Sequence, residues 1–186
     1  MLHAIKKSHI IALMSVLAAL CLAIQLAPRP PNVEFTSLFA FTVGFMFGPF
    51  LGILFGGFIM FVNGFFSPWG FAGFNMPFQM VGMGLVGLTG GVYRRYMQSY
   101  KVAEFCVEAS ILGALLAAVY DFITNLGVAV PVMISGVQPT LAVITVLASG
   151  APFSLIHVVS NIFVFGIVFF PLVKALNHIP MVRNFG

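Results

Sequence analysis

Charged residues are scarce in this sequence: only 6% of its 186 residues are Asp, Glu, Lys or Arg, whereas 61% are hydrophobic. Ordinary soluble domains carry roughly 25% charged residues. A soluble domain of this size buries only about 70% of the surface that its unfolded chain exposes. A soluble fold of this sequence would therefore leave a large apolar area in contact with water. The scarcity of charge excludes an ordinary soluble domain and predicts an integral membrane protein.

Cysteine and metal-binding motifs are also scarce. The two cysteines, Cys21 and Cys106, lie in separate apolar runs, so we expect no disulfide framework. The sequence contains no HExxH and no paired-carboxylate metal motif, and we expect neither a metal site nor a cofactor. The alternation of a transmembrane barrel is missing as well, which leaves helices as the spanning elements.

The long hydrophobic runs predict an all-α membrane protein, a six-transmembrane-helix bundle in a single domain with both termini in the cytoplasm. The predicted spans are residues 10–27, 35–48, 49–66, 76–93, 105–130 and 153–173. Residues 131–152 are rich in Pro and Gly, and their only clean apolar run is too short to cross a bilayer. We expect this stretch to form an external loop, whose conformation could be irregular, partly helical or re-entrant.

Basic residues set the number of spans and their orientation. The eight Lys and Arg residues are scattered in ones and twos, a pattern typical of membrane orientation signals and not of nucleic-acid binding. If residues 35–66 formed one span, the basic cluster at 94–101 would lie outside. A turn at Gly48-Pro49 instead places seven of the eight basic residues inside, Arg183 among them, and only Arg29 outside. We therefore predict a tight cytoplasmic turn there.

Glycine recurs every fourth residue around this turn, at positions 44, 48, 52 and 56. Residues four apart share one face of a helix, and small residues on one face let membrane helices approach closely. Gly82-x-Gly84-x-x-Gly87 matches a dinucleotide-binding fingerprint, but that motif requires a preceding strand. Because these glycines lie inside an apolar run, we expect close helix packing in both places.

Polar side chains gather in the outer halves of the predicted spans. Three pairs are spaced i, i+4 and a further Asn closes the third span: Asn75 and Gln79, Asp121 and Asn125, His157 and Asn161, and Asn63. An ionisable residue inside a span is costly and usually functional, so Asp121 stands out, with His157 or Arg29 as its candidate partner. Together with Trp69 and Tyr120, the set predicts an outward-facing cavity for a small aromatic or heterocyclic solute.

Three other interpretations stay open. The polar residues could join helices in a membrane scaffold that binds no ligand. Ser154 and His157, spaced i, i+3, could form an intramembrane serine hydrolase with Asp121 orienting the histidine. Glu104 and Glu108 lie near the basic cluster, which indicates either an interfacial charge network or a docking surface for a partner.

Several segments resemble the substrate-binding S-components of energy-coupling factor (ECF) vitamin transporters. Residues 31–34 (PNVE) leading into 44–52 (GFMFGPFLG) are similar to that family's second and third spans. Residues 67–69 (SPW) through 77–80 (PFQM), followed by Gly84-Leu-Val-Gly87, are similar to its third loop and fourth span.

The resemblance implies a solute-capture subunit of a prokaryotic cell membrane. Such a subunit binds a vitamin or vitamin precursor from outside, docks on a membrane coupling protein driven by two cytoplasmic ATPases, and topples to release the solute. The sequence has no Walker A motif, which fits a binding subunit that has no ATPase of its own. Cobalamin or a cobalamin precursor is the first expectation, and riboflavin or another B vitamin the next. Asn32 and Glu34 join the expected substrate site, and the coupling protein is expected to contact small residues of the first span: Ser8, Ala12, Ser15 and Ala19.

Overall fold

A computed structural model describes residues 2–97 and 101–178, and all regular structure in these residues is helical. Arg183, one of the basic residues predicted to be cytoplasmic, lies outside the described residues. The helices are α1 (Leu2–Leu26), α2 (Thr36–Phe47), α3 (Pro49–Phe66), α4 (Met76–Tyr96), α5 (Val102–Ile134), α6 (Pro139–Val164) and α7 (Phe170–Asn177). A 3₁₀ turn at Gly73–Asn75 precedes α4, and a π-helical segment at Phe165–Phe169 joins α6 to α7 in one continuous rod.

Within the part of the chain that the structure describes, four stretches are long and apolar enough to cross a membrane: Ser8–Leu26, Pro49–Phe66, Val102–Ile134 and Pro139–Asn177. The helix α2 is equally apolar but has only 12 residues, or about 18 Å of rise, against a hydrocarbon core about 30 Å thick. Residues 36–46 are all buried, and α2 contacts α1, α3, α4, α5 and α6. A helix that is apolar on every side is stable where neighbours surround it, so α2 forms the centre of the bundle.

The turn between α2 and α3 lies at Gly48, as the sequence predicts. Gly48 has φ 102°, a value that side chains with a Cβ rarely adopt, and its amide donates to the Gly44 carbonyl at 2.8 Å. Pro49 is the first residue of α3, where its missing N–H costs nothing. Residues 35–66 are therefore two helices and not one.

Glycines hold α4 against α2 and α3 by backbone contact. A Cβ added to Gly87 would overlap the Gly52 carbonyl, and one added to Gly90 would overlap the Phe41 carbonyl. The expectation of close helix packing is confirmed for both glycine groups. The stretch that matches a dinucleotide fingerprint lies in the interior of α4 and follows a 3₁₀ turn, not a strand.

The loop predicted for residues 131–152 is much shorter than its expected bounds, because most of this stretch is helical. The helix α5 continues to Ile134 and α6 begins at Pro139, so the connection covers only 135–138 and the last span begins well before residue 153. Prolines are read as helix breakers, but Pro139 occupies a first-turn position where no N–H is needed. Gly150 lies where α6 crosses the Asn125 side chain of α5, so it marks close packing and not a loop.

The basic cluster at the end of α4 does not form the expected charge network. No ion pair joins Glu104 or Glu108 to a basic side chain among residues 8–97 and 101–178, the residues whose side chains the structure describes. Arg94 instead donates through Nη1 to the carbonyls of Phe45 at 3.1 Å and Met46 at 2.7 Å. A guanidinium at the last carbonyls of α2 satisfies acceptors that have no partner within the helix.

Candidate functional site

A cavity of ≈ 400 Å³ opens at one end of the bundle. We call this the cavity end; it carries the connections at 27–35 and 67–75, and the opposite end carries the Gly48 turn. Ten of the eleven residues predicted to bind substrate line the cavity: Asn32, Glu34, Asn63, Trp69, Asn75, Gln79, Tyr120, Asp121, Asn125 and His157. Residues distant in sequence, on six different segments, therefore meet around one space.

Asn161 is the exception, because it does not line the cavity. It is fully buried one turn further along α6, and its Nδ2 donates to the His157 carbonyl at 3.1 Å. The spacing of four places it on the same helix face as His157, but about 6 Å further along the helix axis, where α5 closes over it.

His157 forms the centre of the cavity wall. Its Nδ1 lies 2.8 Å from Asp121 Oδ1 and its Nε2 lies 3.0 Å from Glu34 Oε1. All three side chains are buried, with His157 only 2% exposed. The expected pairing of Asp121 with His157 is confirmed, and Glu34 is a second partner that the spacing on the helices could not reveal.

Both contacts of His157 lead to carboxylates, which can only accept hydrogen bonds when ionised. This geometry fits an imidazolium that donates from both nitrogens, because a neutral ring would set one lone pair against a carboxylate. A buried cation stabilises the two carboxylates beside it only when each group is well hydrogen-bonded. Removal of the cation would leave both carboxylates without a counterion.

Glu34 is held by the first turn of α2 as well as by His157. Its Oε2 and Oε1 accept from the Ser37 amide at 3.0 and 3.3 Å, which places a carboxylate at the positive end of the helix dipole. Burial alone would raise the pKa of the Glu34 carboxyl, but the hydrogen bond and charge of His157 and the hydrogen bonds of Ser37 lower it to about 2. Glu34 is therefore ionised at neutral pH.

A second buried network joins α1, α2 and α3 beside the cavity. Thr36 Oγ1 donates to Gln25 Oε1 at 2.8 Å, and Gln25 Nε2 lies 3.4 Å from Asn63 Oδ1. Sequence reasoning missed Gln25 and Thr36. The available signal was a lone amide at the end of an otherwise apolar run, since an amide buried in a membrane helix needs a partner.

The connection between α1 and α2 bends inward over the cavity. Asn32 adopts φ 61°, which Asn tolerates better than most residues, and its Nδ2 donates to the Phe153 carbonyl on α6 at 2.9 Å. Arg29 lies on the same connection, is half-buried and lines the cavity. The sequence pointed to Arg29 only as a partner for Asp121, and no ion pair joins the two among the described residues.

Aromatic side chains complete the lining. The Tyr120 ring meets the His157 ring edge-on, with centroids 5.7 Å apart at 82°, and the Tyr120 hydroxyl contacts Met60 Sδ at 3.3 Å. Trp69, in the 67–75 connection, is largely exposed at the mouth. Rings beside charged and amide groups can stack on a planar solute while the polar groups fix its orientation.

The geometry does not support the serine hydrolase. Ser154 lines the cavity, but no hydrogen bond joins it to His157 in the described part of the chain, and carboxylates occupy both imidazole nitrogens. A general base needs a nitrogen free to take the serine proton. No cluster of side chains that could hold a metal ion occurs among the described residues.

The small residues of α1 predicted to contact a coupling protein are all exposed along one helix: Ser8, Ala12, Ser15 and Ala19. The buried face of α1 carries Leu17, Cys21 and Gln25 instead. The stripe is therefore not used to pack α1 against its own bundle.

Comparisons with known proteins agree with this architecture. Searches among curated proteins and among solved structures gave no match. A protein-family model described as "ECF transporter, substrate-specific component" matches residues 6–169, far more than half of the chain. These residues include most of α1, all of α2 to α6 and every residue that lines the cavity. The chain therefore belongs to the substrate-specific components of ECF transporters, which are multi-pass membrane proteins.

Proposed function

We propose that this S-component captures a water-soluble vitamin or vitamin precursor in the cavity and passes it to an ECF module, made of a membrane coupling protein and two cytoplasmic ATPases. The observation that carries the proposal is the charged Glu34–His157–Asp121 centre, buried in the wall of an open cavity. Buried charges in a membrane bundle are costly and are retained chiefly where they serve a site.

The distribution of charge supports a cavity that opens outward in a prokaryotic cell membrane. Arg94, Arg95 and Lys101 lie at the opposite end of the bundle, where α4 ends and α5 begins, whereas Arg29 lies at the cavity end. Basic residues are more frequent on the cytoplasmic side, so the cavity end faces outward and both termini lie in the cytoplasm.

The cavity volume favours a ligand of modest size. A cavity of ≈ 400 Å³ is near the lower end of the range found for small-molecule sites. Cobalamin, with its corrin ring and nucleotide loop, is much larger than this space, whereas a cobalamin precursor without the corrin ring, riboflavin or another small B vitamin is of suitable size. We therefore rank the smaller vitamins and precursors above intact cobalamin.

Native mass spectrometry of protein purified from cells grown in rich medium tests the capture function. We expect one small solute to co-isolate with the protein, or one B vitamin to bind at submicromolar concentration. Protein that carries no solute and binds no member of a B-vitamin panel would contradict the proposal.

Docking of the coupling protein on the exposed stripe of α1 can be tested separately from solute binding. Ala12→Leu or Ala19→Leu adds bulk to a surface that the bundle does not cover, so binding should be unchanged while uptake into cells that supply the ECF module is lost. Ala148→Leu makes the same change at an exposed position of α6, away from the cavity lining and from Glu104 and Glu108, and should leave uptake intact. Normal uptake by both α1 variants would show that the coupling protein docks elsewhere.

A further inference from the structure

Buried polar atoms without a hydrogen-bond partner gather around the cavity. Within the described residues, the buried atoms that have none include Thr42 Oγ1 and Asn161 Oδ1, which do not line the cavity. They also include Asp121 Oδ2, Arg29 Nε, Asn75 Oδ1 and Gln79 Oε1. The side chains of these last four atoms belong to the cavity lining. A buried polar atom without a partner costs free energy, and a bound solute of matching chemistry would recover it.

The two carboxylates of the charged centre differ in their unused capacity to accept hydrogen bonds. Glu34 already accepts from His157 with one oxygen and from the Ser37 amide with both. Asp121 uses only Oδ1, toward His157, so its Oδ2 retains full acceptor capacity in a side chain that is 6% exposed. His157 has both nitrogens engaged. Asp121 is therefore the member of this centre that has acceptor capacity left for a solute, and its side chain belongs to the cavity lining.

Arg29 offers the opposite chemistry. No acidic side chain among the described residues lies within ion-pair distance of its guanidinium, which is half-buried in the 27–35 connection. A guanidinium without an internal counterion binds carboxylate or phosphate groups through paired N–H donors. The cavity thus has a free cationic donor on its α1–α2 connection and a free anionic acceptor on α5.

We propose that the captured solute is bipolar. It carries an anionic group that Arg29 binds and an amine or ring N–H that donates to Asp121 Oδ2, and the amides of Asn75 and Gln79 bind polar groups between the two. This assignment rests on the proposed capture function and specifies its substrate class. A solute with charge of only one sign would leave either the Arg29 guanidinium or Asp121 Oδ2 without a partner, and a solute with no charged group would leave Arg29 without a counterion.

Three probes that share one aromatic frame test the assignment. 4-(Aminomethyl)benzoate has both groups, 4-methylbenzoate has only the anion, and 4-methylbenzylamine has only the cation. We expect the bipolar probe to bind at least about tenfold more tightly than either of the others, because one charge-assisted hydrogen bond corresponds to a tenfold change or more. Ligand-observed NMR titration of the purified protein in detergent measures affinities in the weak range expected for such small probes.

Two variants assign each group to its residue. Asp121→Asn should reduce the affinity for the bipolar probe to that for 4-methylbenzoate, without changing the latter. Arg29→Gln should reduce it to that for 4-methylbenzylamine, and Arg95→Gln, an exposed position at the opposite end, should change none of the three. Melting temperatures show whether each variant is folded, and the Arg29 comparison remains decisive if Asp121→Asn is not.

Other outcomes overturn the assignment. It fails if the three probes bind alike, or if each cavity variant weakens all three probes equally. A co-isolated solute that lacks either group overturns the assignment and leaves the capture function standing. Protein that co-isolates with no solute and binds neither these probes nor any B vitamin contradicts the capture function itself.

Discussion

At its first turn α2 meets the Glu34 carboxylate, and at its last turn it meets the Arg94 guanidinium. Each charge complements the nearer end of the helix dipole, so electrostatics favours both contacts. The surroundings differ, however. At the cavity end the charges face an open space and several polar atoms have no partner, whereas along α4 the helices meet backbone to backbone at glycines.

The different surroundings of its two ends indicate that α2 has a structural role at one end and a binding role at the other. Close packing along the glycines fixes α2, α3 and α4 relative to one another, so the cavity end does not need to be tightly packed to be stable. Buried charges that would be a liability in a structural core can therefore be kept at the cavity end for a solute.

The largest effect is expected from His157→Leu. The substitution leaves Glu34 and Asp121 as two buried carboxylates without their shared cation, and breaking a buried charge network in this way costs ~3–5 kcal/mol. The apparent melting temperature of the detergent-purified protein should fall sharply, and solute binding should be lost. Circular dichroism during heating measures the first, and native mass spectrometry the second.

A triple variant separates charge balance from simple loss of packing. Glu34→Gln, Asp121→Asn and His157→Leu together remove all three charges, so most of the lost stability should return while binding does not. If the triple variant is no more stable than His157→Leu alone, the charges do not balance one another as the geometry indicates.

The glycine contacts are tested by Gly87→Ala, with Gly84→Ala as the matched control in the same helix. A Cβ at Gly87 would overlap the Gly52 backbone, which cannot move away by changing rotamer as a side chain can. A Cβ at Gly84 would make ordinary contact with Ile53 at 3.5 Å. Gly87→Ala should destabilise the protein by ~1–3 kcal/mol. Gly84→Ala should be neutral or slightly stabilising, because Ala favours helix over Gly. Equal melting temperatures for the two variants would contradict the described packing of α4.

The sequence predicted the glycine side of the molecule better than the cavity side, for a physical reason. A period of four residues acts locally, so the packing face follows from spacing alone, and the Gly48 turn follows from a Gly-Pro pair together with a simple count of basic residues. The contact between Glu34 and His157 joins residues 123 positions apart and depends on the fold of the whole chain. Sequence spacing could group the polar residues by depth but could not pair them.

The main error, the loop predicted for residues 131–152, has a related cause. Pro and Gly indicate that a helix could be interrupted, but they do not reveal whether contacts with neighbouring helices stabilise a helix that contains them. Pro139 begins α6 and Gly150 lies at its crossing with α5, so the residues taken to signal a loop are the ones that position the helix. A helix start and a helix crossing use the same residue types as a turn.

The smallest effect in this comparison is expected at the last turn of α2. Arg94→Gln removes a charged donor from the carbonyls of Phe45 and Met46 and should cost about 1 kcal/mol, since the group is only half-buried. Arg95→Gln, one residue on and exposed, should change stability by less than about 0.5 kcal/mol. Both variants should keep the affinity of the cavity for its solute, because neither side chain lines it. A loss of affinity in Arg94→Gln alone would show that the two ends of α2 are coupled, so that its last turn helps to set the position of Glu34 at its first.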